Sequence, residues 1–259
     1  EGAPAFAFGI GDKGRLELHV TIDGVPCHAS TPWKGENAVA RASEVLRRLS
    51  DYQPEIDVSS EVFRHLKNLG IEEEPTRENI DRLADELAQR DKAQASRLRG
   101  LSRMTISPTM ISGGIKSNSI PAACRITCDI RTLPHQDEEY VRREVGKILE
   151  GIPDVSFEID YTAPPSSSPY HTEFASKVRA AAESALDGAE AVWIPTFATG
   201  FTDSHYLRDL GTLVYEMQLS HPEDDPNLAN IHGTNESVDV RSLIAGTKML
   251  VALAYDVLG

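Results

Sequence analysis

RLELHVTID, residues 15–23, alternates without a break. Leu16, Leu18, Val20 and Ile22 fall on one side, and Arg15, Glu17, His19, Thr21 and Asp23 on the other. Successive strand side chains point to opposite faces, so this is a strand with one face on a core and one in water. Its neighbours repeat the logic. NAVARASEVLRRL (37–49) sets Ala38, Val39, Ala42, Val45, Leu46 and Leu49 at helical spacing with Arg and Glu opposite. RMTISPTMI (103–111) and CRITCDI (124–130) alternate again. EEYVRREVGKIL (138–149) is helical through Val141, Val145, Ile148 and Leu149, and VSFEIDY (155–161) alternates once more. Strand, helix, strand, strand, helix, strand predicts a ferredoxin-like sandwich: a four-stranded antiparallel sheet with its helices on one face.

About fifty residues, 52–100, interrupt this unit after its first helix. EVFRHLKNLG and ENIDRLADELAQR read there as two charged amphipathic helices, the first closed by Gly70. The insertion reads either as a solvated elaboration or as a roof over a site or an extension of a dimer interface. APPSSSP (163–169) is a boundary by composition. Beyond it come a helix (172–186), an apolar strand AVWIPTF, a Gly/Thr/Asp turn and a second strand TLVYEMQL. A histidine loop and a buried C-terminal helix follow. The whole reads as a mixed α/β chain: residues 1–12 and 164–259 as parts of an α/β layer, and 13–163 as the inserted unit.

Composition narrows the function. Forty acidic against 26 basic residues give a formal charge of −14, which argues against a sequence-independent grip on nucleic acid. The most apolar run, MLVALA (249–254), is too short to span a bilayer. Three cysteines, Cys27, Cys124 and Cys128, make a disulfide framework improbable and point to a reducing cytoplasm. PHQDEEY (134–140) gathers metal-ligand residue types, but it opens a helix, where carboxylates serve as caps and favour the dipole.

Five blocks remain, in this order: VPCHASTPWKGENAV (25–39), SGGIKSNSIP (112–121), CDIRTLP (128–134), ATGFTD (198–203) and IHGTNE (231–236). Together they resemble peptidase family M-twenty (M20), the co-catalytic zinc aminoacylases and carboxypeptidases, with acetylornithine deacetylase and succinyl-diaminopimelate desuccinylase as relatives. The resemblance implies an α/β zinc-peptidase catalytic domain with the ferredoxin-like unit as its lid and dimerisation domain. It implies hydrolysis of peptide or N-acyl amide bonds next to a free carboxylate, by a homodimer joined through the lid.

Carried over by position, the resemblance makes His232 and Glu1 metal ligands. It makes His28 an oxyanion donor acting across the dimer, and Asn118 and Arg131 holders of the substrate carboxylate. Gly200, Thr202 and Asp203 resemble the loop beside the site. Read without the resemblance, Arg131 is as plausibly an exposed strand-end charge, and TGFTD a glycine turn with an Asx-type bond. The metal is expected to be zinc, with cobalt or manganese as possible substitutes.

The family's His-x-Asp motif, bridging Asp and Glu-Glu pair have no match in context and are expected upstream of Glu1. The chain is therefore expected to be the lid plus the later part of a catalytic domain, inactive alone. The alternative is a non-catalytic dimerisation or binding module built on the lid.

Overall fold

A computed structural model of the chain describes residues 4–217, 219–225, 229–230 and 233–259. Its architecture is mixed α/β, built on two sheets. β1 (Ala5–Asp12) belongs to the smaller sheet and runs through Lys13 into β2 (Gly14–Asp23), the strand of the opening alternation. A side chain on Gly14 would collide with Thr132 and Pro165, so only glycine fits this joint between the sheets.

β2 lies inside a four-stranded antiparallel sheet with β4 (Thr105–Gly113), β6 (Ala123–Thr132) and β7 (Val155–Ala163), in the order β4-β6-β2-β7. One face is dry. Leu16, Leu18, Val20, Ile22, Ile126 and Ile130 are fully covered by α1 (Ala38–Asp51) and α4 (Glu138–Leu149). Both helices begin on the side-chain caps expected from sequence. Asn37 accepts from the amides of Val39 and Ala40, and Asp137 accepts from that of Tyr140. Of the PHQDEEY acids Asp137 is thus the cap, while Glu138 pairs with Arg142 in the first turn. The opposite face is polar and cross-linked: Arg15 bonds Asp129 at 3.3 Å, and His19 lies 3.2 Å from Asp160. Cys124 and Cys128 are buried free thiols, and burial pushes the Cys128 thiol up to about 12.

The smaller sheet has the order β8-β1-β9, with β8 at Ser166–Ser167 antiparallel to β1 and β9 (Val192–Ala198) parallel to it. The strand expected at TLVYEMQL contracts to one bridge among its described residues, Glu216 to Gly9, closed by N–H···O bonds of 2.7 and 2.9 Å. Its alternation is real, but Arg208 and Ser168 bond the Val214 backbone and divert the ladder.

The insertion packs on this smaller sheet. A 3-10 helix at Glu61–Leu69, α2 (Ile80–Ala88) and α3 (Lys92–Leu101) share one core with Phe8, Ile10, Phe197 and Val178. Gly70 closes the 3-10 helix at φ 70°, as its position predicts. So the insertion is packed on the smaller sheet and is not a free elaboration. α5 (Glu173–Ala185) and α7 (Val240–Leu258) pack on each other below Phe6.

α7 departs from expectation. Only Ser242, Ala245 and Met249 are buried, whereas Leu243, Leu250, Val251, Tyr255 and Leu258 are more than half exposed. The helix is apolar nearly all round, but the described residues cover one narrow stripe of it.

Candidate functional site

The sequence-predicted residues divide between two ends of the four-stranded sheet. At one end a short ribbon pairs β3 (Cys27–His28) with β5 (Ser119–Ile120), His28 opposite Ser119. The amide of Ala29 donates to the carbonyl of Asn118 at 3.0 Å, so His28 and Asn118 sit side by side, both exposed. Buried Ile120 anchors the ribbon.

The His28 ring is held locally. The amide of Ser30 donates to His28 Nδ1 at 3.2 Å, and the Ser30 hydroxyl lies 2.8 Å from the same nitrogen. An amide N–H can only donate, so Nδ1 is the acceptor and the neutral ring carries its proton on Nε2. That leaves Nε2–H as an outward donor with no partner among the described residues. Met110 and Ile111 of β4, Ile115 just beyond it, Val39 of α1 and Trp33, five residues after His28, are all exposed apolar side chains. β4 ends the sheet, so its outer ladder is unpaired.

At the other end, Arg131 sits on β6 opposite Arg15 and Thr105. Eight residues of β6 separate it from Ala123, beside the ribbon, which at about 3.3 Å per residue is roughly 26 Å. One chain's Asn118 and Arg131 therefore cannot grip the same carboxylate. The Arg131 guanidinium already forks onto its neighbour: Nε donates to Asp129 Oδ1 at 2.6 Å and Nη2 to Oδ2 at 3.1 Å.

The Gly200–Asp203 loop follows β9 at this same end, where the amide of Lys13 donates to Ala198 at 3.0 Å. The Thr202 hydroxyl donates to Glu216 Oε1 and accepts from the amide of Ser204, and His205 Nδ1 donates to the Thr202 carbonyl at 2.6 Å. The turn bond expected of Asp203 thus falls to Thr202. Asp203 opens α6 (Ser204–Asp209) without a capping bond and is exposed. Arg208 of α6 pairs with Asp12 of β1, both side chains almost wholly buried, and so ties the loop to the joint between the sheets.

Sequence reasoning missed two residues here. Lys13 lies in an ordinary-looking turn, DKG, yet it is 1 % exposed. Its ammonium donates to the carbonyls of Gly100 and Arg103 at 2.5 and 2.8 Å, satisfying the C-terminal end of α3. Burial, with Arg131 and Arg103 nearby, pulls its pKa down to about 7. Arg97, on α3, donates to Thr196 Oγ1 at 2.5 Å and to the Phe197 carbonyl at 3.0 Å. No ion pair reaches it among the described residues. Lys13, Arg97, Arg99, Arg103, Arg131 and Thr199 line an open cleft of about 560 Å³ whose wall includes no acidic residue. No sequence signal marks either residue; only their placement does.

A second cleft, of about 530 Å³, lies beyond Lys13 between the insertion and the segment after β8. His135, the decoy histidine, lies there 3.4 Å from Asp57. Glu1 and His232, the expected metal ligands, fall outside the described residues. Among the described residues no three His, Cys, Asp or Glu side chains gather to hold a metal ion, and no helix is long and apolar enough to cross a membrane.

A family model described as the peptidase dimerisation domain, M20_dimer, matches residues 10–154. The putative succinyl-diaminopimelate desuccinylase DapE of Mycobacterium tuberculosis is 24 % identical over 241 residues, covering 93 % of this chain and 52 % of that protein. Carboxypeptidase S of Saccharomyces cerevisiae is 27 % identical, over 95 % of this chain and 48 % of its own length. Among solved structures, an M20 family metallo-carboxypeptidase from Sulfolobus solfataricus superposes with a TM-score of 0.68 at 17 % identity, covering 100 % of this chain and 63 % of that one. The dipeptidase Dug1p of Saccharomyces cerevisiae gives 0.63 at 18 % identity, covering 97 % and 56 %. At these identities the superpositions speak to fold alone. The chain spans about half the length of the curated relatives it matches.

Proposed function

The chain belongs to the M20 peptidases, whose dimerisation domain it carries, and from that premise we propose that it is part of a metal-dependent amidohydrolase. Its substrates would be peptides or N-acyl amino acids cut next to a free carboxylate. Residues 13–163 would be a ferredoxin-like lid, with the rest belonging to the catalytic domain. The sheet order β4-β6-β2-β7 with both helices on one face supports that division.

The observation that carries the reading is the outward Nε2–H of His28, beside Asn118 and an unpaired apolar strand edge. A dimer through that edge would present both residues to the partner's site. Arg131 and the Gly200–Asp203 loop would serve the site of their own chain. There His28 would stabilise the oxyanion formed when the amide carbonyl is attacked, as a preorganised donor that needs no reorientation. Asn118 would orient the acyl or carboxylate end from the same ribbon.

Zinc, or cobalt or manganese in its place, would supply an activated water and polarise the carbonyl. His232 and Glu1 are the proposed ligands on this chain. Two ligands do not make such a centre, so the 259 residues alone are expected to turn over nothing measurable. The rival, a dimerisation module without catalysis, shares the β4 edge but gives no use to the His28 tautomer.

The test is N-acyl amino acid hydrolysis by the natural protein. His28→Ala should lower kcat by about 10²–10³ with KM little changed. Mixing His28→Ala with Arg131→Ala subunits should restore activity, because one site of the mixed dimer holds both residues. An unchanged kcat, or no restoration on mixing, overturns the trans assignment. A natural protein that dimerises and hydrolyses no peptide or N-acyl amino acid leaves the module.

A further inference from the structure

We propose that Arg97, supplied by the helical insertion, is the residue that selects the substrate carboxylate in the basic cleft at the Arg131 end of the molecule. The proposal rests on the hydrolase reading above and names the charge that reading needs. It comes from accounting for each cation lining the cleft. Arg131 has its fork occupied by Asp129. Arg99 is held by Asp85 at 2.6 Å and Arg103 by Asp81 at 2.7 Å. Lys13 is spent on the carbonyls that end α3. Arg97 is the one arginine of this set with only neutral acceptors, Thr196 and the Phe197 carbonyl, and both come from the strand that leads into the Gly200–Asp203 loop. Its uncompensated charge lies on the same cleft wall as Thr199, within a protein of formal charge −14. A positive cleft on an acidic molecule focuses the field that draws an anion.

The cleft also indicates which anion. Its volume of about 560 Å³ falls in the range of small-molecule sites, sufficient for an acylated amino acid. A planar guanidinium fork matches the two oxygens of a carboxylate. The class of ligand that the fork and the volume fit is a carboxylate on an acylated amino acid.

Titration calorimetry of the 259-residue protein with N-acetyl-leucine, N-acetyl-leucinamide and inorganic phosphate tests this. N-acetyl-leucine should bind about tenfold or more tightly than the uncharged amide, the scale of one charge-assisted contact. Arg97→Gln should remove that preference while leaving the thermal midpoint in place, and Arg97→Lys should keep part of it. The proposal is overturned if Arg97→Gln keeps the preference, if the wild-type protein binds neither amino acid, or if phosphate displaces N-acetyl-leucine at equal concentration. Arg97-dependent binding without hydrolysis by the natural protein upholds the subsite and removes the hydrolase. Hydrolysis whose KM is indifferent to Arg97→Gln does the reverse.

Discussion

The two sheets of this protein solve the same problem to different degrees. The four-stranded sheet has one dry face capped by α1 and α4 and one polar face in solvent, with exposed apolar side chains at Met110 and Ile111 of β4, at Val39 of α1 and in the loops at Trp33 and Ile115. The three-stranded sheet is covered by the insertion and α5 along Phe8 and Ile10 and by α5 with α7 at Phe6, and α7 leaves most of its apolar surface uncovered. The first region satisfies itself; the second needs more apolar cover than the described residues provide. Stability is therefore unevenly placed, and the candidate residues divide along the same line. His28 and Asn118 lie at the β3–β5 ribbon, and the junction of the two larger sheets carries Arg131, Lys13 and the Gly200–Asp203 loop.

The largest effect should come from the junction. Asp12 and Arg208 form an ion pair at 0 % and 3 % side-chain exposure, with Asp12 Oδ1 and Arg208 Nε unbonded and the half-buried Glu216 3.5 Å from Arg208 as its second carboxylate. Breaking such a pair strands a buried charge, at a cost of about 3–5 kcal/mol. Asp12→Ala should show that loss in urea unfolding and free the loop that Arg208 anchors. Asp12→Leu combined with Arg208→Met should cost much less, because no charge is left behind. If Asp12→Ala is neutral, the two regions are not joined through this pair.

What could be read in advance follows the same division. Period-2 patterns at 15–23, 124–130 and 155–161 map onto β2, β6 and β7, because an amphipathic strand encodes which of its faces is wet. Gly70 and Asp137 were legible as helix punctuation, since a left-handed stop and an N-cap are local chemistry. The misses are non-local. TLVYEMQL has strand composition but loses its ladder to side chains from Arg208 and Ser168. α3 carries three buried apolar residues, Ala95, Leu98 and Leu101, among basic and polar neighbours, too thin a pattern to stand out. Lys13 and Arg97 carry no sequence mark, because their roles depend on a helix end and a strand brought together across about ninety residues and more. The candidate site was legible only as family blocks, and the separation of Asn118 from Arg131 along β6 required the register.

Lys13 offers a pH test of the junction. Its amine loses its proton near pH 7 when folded but keeps it to 10.5 when unfolded. Between those values unfolding takes up a proton, so stability rises with pH by up to about 1.4 kcal/mol per unit. Below the folded value both states are protonated and the contribution is flat. From about pH 7.5 to about pH 9.5 the wild-type protein should gain on the order of 2 kcal/mol relative to Lys13→Met. The variant removes the titrating group at the expense of the bonds to Gly100 and Arg103. Parallel pH profiles would mean that the ammonium reaches solvent and the junction is looser than its geometry.

The smallest effect is the most discriminating about α7. Leu250 is 61 % exposed and its neighbour Met249, about 100° away around the helix, only 6 %, so the two sample its open and its packed face. An exposed leucine makes few contacts to lose, and Leu250→Ser should change stability by less than about 0.5 kcal/mol. Met249→Ala, by contrast, empties a packed position against α5 and should cost about 2 kcal/mol or more. A helix that is apolar all round normally has cover on every side. If Leu250→Ser in the natural protein cost as much as Met249→Ala, the open face of α7 would be a packed interface there. The unevenness between the two sheets would then belong to these 259 residues and not to the protein that carries them.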